Sequence, residues 1–264
     1  MQYLSAFGIY RDQADYLVEW IEFHKLVGFE RFYLYDNFST DHHREVLAPY
    51  VDDGTVMLHD WPVEPGQPAA YRDVLEHHGH ETFWLSIFDI DEFLFSPTGQ
   101  QVSEVLRDFE EFPGVVVNEI SFGTSGHQTK QPGLAIENFT RRCAIDKPRN
   151  RIVKSIVRPS EVDDIGNDPH YFRYRDGARA VTENKEPLRG SLTDAVSVNL
   201  LRINHYITRS QEERDRKNAG SNAWLGGPRE LPKAKNRDPM LNDEEDTTIL
   251  RFVPALRDAL GIPA

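Results

Sequence analysis

An apolar run that ends in acidic residues decides the fold of this chain: residues 83–93 read FWLSIFDIDEF. The apolar part, residues 83–88, predicts a buried strand. Because side chains alternate along a strand, Asp89 and Asp91 are expected on one side of it, with their Cα atoms roughly 6–7 Å apart. Two carboxylates placed in this way can share one divalent cation, and Mg²⁺ and Mn²⁺ favour such oxygen ligands.

A different interpretation of the two acids is a solvated turn with helix-capping carboxylates, and short motifs often arise without function. Acids that directly follow a buried strand are costly to leave unpaired, however, which favours a bound cation. His205, in the strand pattern 198–206, is the best candidate for a third ligand, and His170 is the second choice. A lone histidine is more often structural, so this assignment depends on the carboxylate pair.

The residues around this stretch alternate strand and helix patterns, which is typical of a mostly parallel sheet covered by helices. The first half predicts strands at 3–9, 31–35, 55–59 and 83–88, and helices at 13–27, 41–51 and 69–78. The second half predicts a helix at 102–112, more antiparallel strands at 154–158, 171–174 and 198–206, a capped helix from Ser210 through Lys217, a loop or lid at 218–246 and a last helix at 247–260. We therefore expect one α/β domain.

The bulk composition limits the partners of the chain. Its 264 residues carry a formal net charge of −13. This charge disfavours broad attraction to nucleic acid or anionic membrane, so an anionic ligand needs a metal or a few placed cations. No run approaches the ~20 apolar residues of a membrane span, and the first residues resemble a strand rather than a leader, which predicts a cytoplasmic protein. The single cysteine rules out an internal disulfide.

Polar residues also follow the first two predicted strands. Asp12 comes after the first, and Asp36 and Asn37 come after the second. Ligands of open α/β sheets gather at the carboxyl ends of strands, so these groups would share a cleft with the acids at 89–91. Asp36 and Asn37 either shape a turn or accept hydrogen bonds from a ribose or base, and both interpretations can hold while Asp41 caps the next helix.

The loop FGTSGH at residues 122–127 is rich in small residues, which suits the close approach of a ligand. It is not a phosphate-binding P-loop, because the Gly-Lys-Ser/Thr ending is absent. A reaction that activates a hydroxyl needs a general base, and Glu119, His127 and Glu137 are the candidates near this loop. The sequence does not rank them, and an exposed helical glutamate is the simpler alternative.

Taken together, the ordered motifs resemble glycosyltransferase family 92 and its bacterial relatives in the family 2-like superfamily, over residues 3–217. The motifs are Arg11-Asp12, Tyr16-Leu17-x-Glu19-Trp20, Tyr35-Asp36-Asn37-x-Ser39-x-Asp41, Gln67-x-x-Ala70-Tyr71, Trp84, Asp89-Ile90-Asp91-Glu92-Phe93, residues 122–127, Lys154-Ser155-Ile156, His205-Tyr206, Ser210 and Lys217. The resemblance implies a GT-A fold, in which a mixed sheet is flanked by helices. It also implies Mn²⁺ (or Mg²⁺), a UDP-sugar donor, often UDP-galactose, and inverting transfer to a glycan or other hydroxyl acceptor.

The resemblance also assigns roles to residues. It implies that Asp89 and Asp91 hold the metal with His205. It further implies that a nucleoside pocket is lined by Asp12, Asp36 and Asn37. Gln67 and Tyr71 would lie near the donor, and Lys217 would contact its diphosphate. The domain of residues 1–264 would then comprise a nucleotide-binding half (1–96), an acceptor-side half (97–217) and a lid with a C-terminal helix (218–264).

This sequence departs from the family pattern at two places. Many relatives carry Asn-Glu where it has Arg11-Asp12, and Glu119 stands where Trp is expected. Two other functions are alternatives to sugar transfer. A non-catalytic glycan-binding protein would not need the intact acids. A nucleotidyltransferase or hydrolase would favour a Gly-rich loop after the first strand, and none is present there.

Overall fold

The computed structural model describes residues 1–220, 223–227 and 238–263. Its strands are β1 (Gln2–Tyr10), β2 (Arg31–Asp36), β3 (Val56–Asp60), β4 (Thr82–Ile87), β5 (Glu92–Phe95), β6 (Gly114–Ser121), β7 (Arg141–Arg142), β8 (Val153–Val157), β9 (Val162–Ile165), β10 (Phe172–Tyr174), β11 (Arg202–His205) and β12 (Glu244–Glu245). Its helices are α1 (Ala14–Leu26), α2 (His43–Asp52), α3 (Gly66–His78), α4 (Val102–Leu106), α5 (Ala135–Asn138), α6 (Gln211–Ala219), α7 (Asp238–Leu241) and α8 (Val253–Ala259).

One mixed sheet organises the molecule. Its eight strands lie in the order β3-β2-β1-β4-β8-β6-β11-β5. The strands β3, β2, β1 and β4 are parallel to one another, whereas β8 runs antiparallel to both β4 and β6. At the far edge, β11 is parallel to β6 and antiparallel to β5. The parallel first half and the more antiparallel second half match the sequence patterns.

Apolar side chains cover both faces of this sheet, which explains why residues 83–88 are apolar apart from Ser86. Trp84 packs into a core that includes α1 residues such as Trp20. Leu85, the next residue of β4, points into a second core that contains Tyr71 of α3. Successive side chains of a strand point to opposite faces, so a strand between two cores is mostly apolar on both sides. The indole of Trp20 also donates to the carbonyl of Glu92 (2.9 Å), which fixes the start of β5.

The prediction that Asp89 and Asp91 extend a strand is wrong. Strand β4 ends at Ile87, and residues 89–92 form a turn in which the Glu92 N–H donates to the Asp89 carbonyl (3.0 Å). The chain then enters β5, which forms the edge of the sheet opposite to β3. Because the backbone bends here, strand alternation does not set the directions of these two side chains.

The later elements differ from prediction mainly in length. Helix α4 ends at Leu106 and continues only as a 3-10 turn at Arg107–Phe109, and β11 begins at Arg202 rather than at residue 198. The last predicted helix is a 3-10 turn, Thr248–Phe252, followed by α8. Within the predicted loop at 218–246, the structure describes α7 and β12, while residues 221–222 and 228–237 lie outside the described residues.

The capping box that begins α6 is confirmed: Ser210 Oγ accepts from the Glu213 N–H (3.4 Å) and Glu213 Oε2 accepts from the Ser210 N–H (3.2 Å). In the part of the chain that the structure describes, no helix combines the length and the apolar character needed to cross a bilayer.

Candidate active site

Two carboxylates and an imidazole converge at the edge of the sheet where β5 and β11 pair. Asp91, Glu92 and His205 each offer a ligand atom, and these atoms all lie within 4.8 Å of one another. Glu92 is the β5 partner of His205 in the strand register. The carbonyl of Asp91 accepts from the Tyr206 N–H (2.8 Å), so the turn is tied to β11 on both sides of His205. This group can hold a divalent cation.

The two nitrogens of His205 face different partners. Nδ1 lies 2.9 Å from Glu119 Oε2 and 3.5 Å from Glu92 Oε1, whereas Nε2 lies 3.7 Å from Asp91 Oδ1. A metal-binding histidine commonly donates its second N–H to a carboxylate, which fixes the ring and its tautomer. The arrangement therefore leaves Nε2 and Asp91 as the pair that faces a cation, with Glu119 behind the ring.

The charged groups around the site shift the pKa values of its carboxylates and of His205. Burial raises the pKa of Asp91, but Lys217 and His205 outweigh it and hold the pKa well below its usual range. Burial raises the pKa of Glu92 to about 8, although Lys154 opposes the shift. Burial lowers the pKa of His205, yet the charges of Asp91 and Glu92 raise it to about 10. The site thus already holds two positive groups, Lys217 and His205, beside the Asp91 carboxylate.

Two buried carboxylate oxygens of the site, Glu92 Oε1 and Glu119 Oε1, lack a hydrogen-bond partner among the described residues. Among the described residues, Glu92 Oε1 accepts no hydrogen bond, although Lys154 Nζ lies 3.3 Å away. Its other oxygen, Oε2, accepts from the Asp89 N–H (2.9 Å). Buried polar atoms are rarely left without a partner, so the donor set around Oε1 fits an added cation.

Asp89 lies on the far side of a buried lysine. Its Oδ2 is 2.9 Å from Nζ of Lys154, which is 2% exposed, and Gln67 Nε2 lies 3.4 Å from its Oδ1. Burial lowers the pKa of Lys154, but Asp89 and Glu92 raise it well above its usual value. Glu92 rather than Asp89 thus completes the compact group with Asp91 and His205, and a metal contact from Asp89 stays a prediction.

The predicted diphosphate and donor residues lie beside this group. Lys217, in the last turn of α6, forms an ion pair with Asp91 Oδ2. Gln67 is buried on α3 and donates to the hydroxyl of Tyr71 (3.0 Å) as well as approaching Asp89. The structure therefore brings Lys217 and Gln67 to the two acids of the turn.

The residues predicted to contact the nucleoside lie at the end of β2 and in the loops after β1 and β2. Asn37 Nδ2 donates to the carbonyls of Trp61 (2.8 Å) and Val63 (2.9 Å), and its Oδ1 accepts from Arg11 (2.9 Å). Asp36 Oδ1 accepts from the Ser39 N–H (2.9 Å). Because these polar atoms bind other parts of the protein, Asn37 in particular fixes the shape of the two loops, and its contact with a nucleoside stays a prediction.

Asp12 and Asp41 connect the two loops. Asp12, with a φ of 52°, accepts from the Thr40 N–H (2.7 Å). Asp41 accepts from the Ala14 N–H (2.8 Å) at the start of α1 and from the His43 N–H (3.2 Å) at the start of α2. The predicted capping role of Asp41 is confirmed, and it extends to a second helix.

An exposed aromatic side chain stands between these loops. Phe38 is 45% exposed, and its φ of 65° lies in the left-handed region that a bulky residue rarely adopts. The Arg11 guanidinium lies 5.2 Å from its ring centroid. The strand-end loops thus present a flat apolar surface beside Asp36.

The three candidate bases occupy separate environments. Glu119 is buried in β6, with its oxygens directed at His205 Nδ1 (2.9 Å) and His170 Nδ1 (3.5 Å). Burial raises the pKa of Glu119, but the neighbouring His170 and His205 hold it well below its usual range. Glu137 forms a two-point ion pair with Arg257 of α8, at 2.9 and 3.0 Å. Both carboxylates are therefore committed to partners.

His127 is half-buried in the loop after β6, and its Nε2 lies 3.0 Å from the carbonyl of Asn138. A carbonyl only accepts, so Nε2 carries the proton and the lone pair of the neutral ring is on Nδ1. The carbonyl of His127 accepts from the Gln211 N–H (3.0 Å) at the start of α6, the helix that supplies Lys217.

Sequence reasoning missed two members of the site. Glu92 and Lys154 were noted only as parts of motifs, yet Glu92 completes the ligand group and Lys154 is the buried cation between Asp89 and Glu92. A lysine inside an otherwise apolar strand pattern was the available signal, because a buried lysine requires acidic partners.

The chain is similar to proteins of one sequence family. The profile of glycosyltransferase family 92 matches residues 6–218. A family 92 protein of Oryza sativa subsp. japonica is 31% identical over 204 residues, which covers 74% of this chain and 32% of the relative. A galactan beta-1,4-galactosyltransferase of Arabidopsis thaliana is 25% identical over 209 residues, which covers 67% of this chain and 41% of the relative. The chain therefore spans about a third to two fifths of the length of these relatives.

Solved structures were compared as well. Residues 1–349 of S. aureus TarS align with 82% of this chain and 63% of their own length, with 14% identity and a TM-score of 0.45. The complex of the same protein with UDP aligns with 60% of this chain and 47% of its own length, with 14% identity and a TM-score of 0.42. The mixed sheet flanked by helices, taken with the family match, confirms the predicted GT-A type α/β fold. This chain belongs to glycosyltransferase family 92.

Proposed function

We propose that this chain transfers a sugar from a UDP-sugar to a hydroxyl of a glycan, with inversion and with Mn²⁺ or Mg²⁺ bound. The single observation that carries the proposal is the convergence of Asp91, Glu92 and His205 at the sheet edge, with Lys217 and Lys154 beside them. A chain with a net charge of −13 needs local cations to hold a diphosphate, and this edge supplies them.

The residues present fit a divalent metal. Asp91 and His205 Nε2 would hold the ion, and Glu92 Oε1 is a buried oxygen without a hydrogen bond beside them. Oxygen ligands with one imidazole suit Mn²⁺, and Mg²⁺ accepts the oxygens. When bound, the ion acts as a Lewis acid for the charge that develops on the leaving diphosphate. Glu119 holds the His205 ring in place through Nδ1.

Lys217 has two partners in this account. In the structure its ammonium neutralises Asp91. With a cation held by Asp91, Lys217 would be free to contact the diphosphate, because like charges repel and phosphate oxygens accept charge-assisted hydrogen bonds from an ammonium group. Lys154 stays between Asp89 and Glu92 and prevents repulsion between these two carboxylates.

The donor is proposed to be UDP-galactose. The support is that the 25% identical Arabidopsis relative is a galactan beta-1,4-galactosyltransferase. The nucleoside would lie against the loops after β1 and β2, with its base on the exposed face of Phe38. Stacking on an aromatic ring is worth about 1–3 kcal/mol per base.

We assign the general base to His127. Inversion requires a group that takes the acceptor proton, and Nδ1 of this ring carries the lone pair when Nε2 donates to Asn138. The other two candidates are held in their own pairs, Glu119 by two histidines and Glu137 by Arg257. A His127→Gln variant should keep donor and metal binding but lose roughly 10²–10⁴-fold in transfer rate.

The proposal is tested with a panel of nucleotide-sugars. Thermal shift and UDP release are measured for the wild type, for Asp91→Asn and for the exposed control Asp176→Asn, with and without Mn²⁺. UDP-galactose should raise the melting temperature only with metal, and Asp91→Asn should abolish both signals while the control behaves like the wild type. If UDP and every UDP-sugar leave the wild-type melting temperature unchanged in Mn²⁺, the proposed donor class is wrong.

A further inference from the structure

A cavity lies on the sheet face opposite α1. It has a volume of about 360 Å³, and its floor includes Val116 of β6, Ser155 of β8 and Phe172 of β10. Residues of β9 and β10 and residues 177–180 and 188–190 line its sides, and it is open to solvent. Small-molecule sites have volumes of about 300 Å³ or more, so this cavity has room for a small ligand.

Three arginines line this cavity in a strongly acidic chain: Arg173, Arg179 and Arg189. Arg173 forms an ion pair with Asp164. Arg179 and Arg189 are exposed, and within residues 1–220, 223–227 and 238–263 neither forms an ion pair. Asp163 is the acid in the lining. The lining therefore has a surplus of positive charge that the protein does not neutralise.

Contacts connect the cavity to the active site. Ser155 follows Lys154 in β8, and its Oγ donates to the carbonyl of His170 (2.9 Å). The ring of His170 lies 3.5 Å from Glu119, the residue that holds His205.

A second connection passes through aromatic rings. Phe172, in the cavity floor, stacks on Tyr71 at 5.9 Å between centroids, and the Tyr71 hydroxyl accepts from Gln67. Gln67 in turn approaches Asp89. The cavity and the donor side are thus connected by three successive contacts, from Phe172 through Tyr71 and Gln67 to Asp89.

We propose that this cavity is the acceptor subsite and that it binds an anionic saccharide through Arg179 and Arg189. The inference rests on the proposed transferase function. Guanidinium groups pair with carboxylate or phosphate oxygens through two parallel N–H bonds, which gives direction as well as charge. The aromatic and apolar floor suits the less polar faces of sugar rings, while the arginines read the acidic substituents.

The test is a binding titration by calorimetry on the full chain. The probes are an oligogalacturonate as the carboxylate source, a phosphorylated oligosaccharide as the phosphate source, and a neutral galacto-oligosaccharide of equal length. Each is titrated into the wild type, Arg179→Ala/Arg189→Ala, and the control Arg175→Ala, an exposed arginine of the same segment that does not line the cavity. Mn²⁺·UDP binding is measured on each protein as an independent readout of the donor site.

At least one charged probe should bind the wild type, and the neutral probe should bind at least about tenfold more weakly. The double variant should lose about tenfold per arginine, which equals 1.4 kcal/mol each, whereas Arg175→Ala should match the wild type. Arg179→Lys/Arg189→Lys should recover only part of the loss, because lysine keeps the charge but not the paired N–H geometry.

Equal binding of neutral and charged probes, or unchanged binding in the double variant, overturns the inference. Failure of the proposed function looks different: Mn²⁺·UDP binding would then be absent from the wild type, whatever the saccharide probes do. If charged probes bind but do not accelerate UDP release from the donor, the cavity is not the acceptor subsite and the inference also fails.

Discussion

Glu119→Gln tests the arrangement behind the metal pair. Glu119 Oε2 accepts from His205 Nδ1 at 2.9 Å, and its Oε1 faces His170 at 3.5 Å. The amide keeps the size and one acceptor oxygen but loses the negative charge, and a hydrogen bond to a charged group is about twice as strong as a neutral one. Loss of such an outer partner typically costs 10–100-fold in metal affinity. Since one acceptor remains, we expect a loss of about tenfold, or ~1.4 kcal/mol.

The assay is a Mn²⁺ titration followed by calorimetry, with thermal unfolding to check the fold. Asp246→Asn is the matched control, because Asp246 is a buried carboxylate that pairs with Arg142 and Arg202 outside the site. The control should lower stability and leave Mn²⁺ affinity unchanged. Mn²⁺ affinity equal to wild type in Glu119→Gln, or an equal loss in both variants, would refute the reasoning.

Three further outcomes are expected. Lys217→Met should tighten Mn²⁺ binding in the absence of nucleotide, since Lys217 and the ion compete for Asp91, and should raise KM for the donor. Phe38→Ala should raise KM for the UDP-sugar about tenfold, consistent with a lost stacking surface, without changing Mn²⁺ affinity. Burial raises the pKa of Glu19 to about 7 from an ordinary value of 4.5, so folding stability should fall by about 3 kcal/mol as pH rises through that window, and Glu19→Gln should flatten this dependence.

Each of these outcomes has a control or a contrary result. Arg216→Met removes an exposed cation from the same helix as Lys217 and should change neither Mn²⁺ affinity nor KM. An unaltered donor KM in Phe38→Ala would remove that ring from the nucleoside pocket. A denaturation midpoint for wild type that rises between pH 4.5 and 7 while that of Glu19→Gln does not would show that the sign assigned to Glu19 is wrong.

Much of the fold follows from local patterns. The strands β1 to β4 and the helices between them were predicted to within a few residues. In β4, for example, Trp84 and Leu85 belong to different cores, and such a strand is mostly apolar. The order β8-β6-β11-β5 was not predictable, since it depends on pairings such as Glu92 with His205, which are far apart in the chain. Periodicity reports on burial and carries no information about partner strands.

The site was predictable only in part. Asp91, His205 and Lys217 were assigned together through the resemblance, and the structure places them in contact. The directions of Asp89 and Asp91 were derived from strand alternation, which fails because a turn begins at Asp89. The contact of Glu119 with His205 needs β6 and β11 to be neighbours, and spacing along the chain does not reveal this.

The most direct measurement is a crystal structure with Mn²⁺ and UDP, recorded at a wavelength where manganese scatters anomalously. The account predicts one strong anomalous peak bound by Asp91 and by Nε2 of His205, with diphosphate oxygens completing its shell and Lys217 moved from Asp91 to the phosphates. Bound UDP with no anomalous peak between these two side chains, or with Lys217 still paired to Asp91, would contradict the central claim.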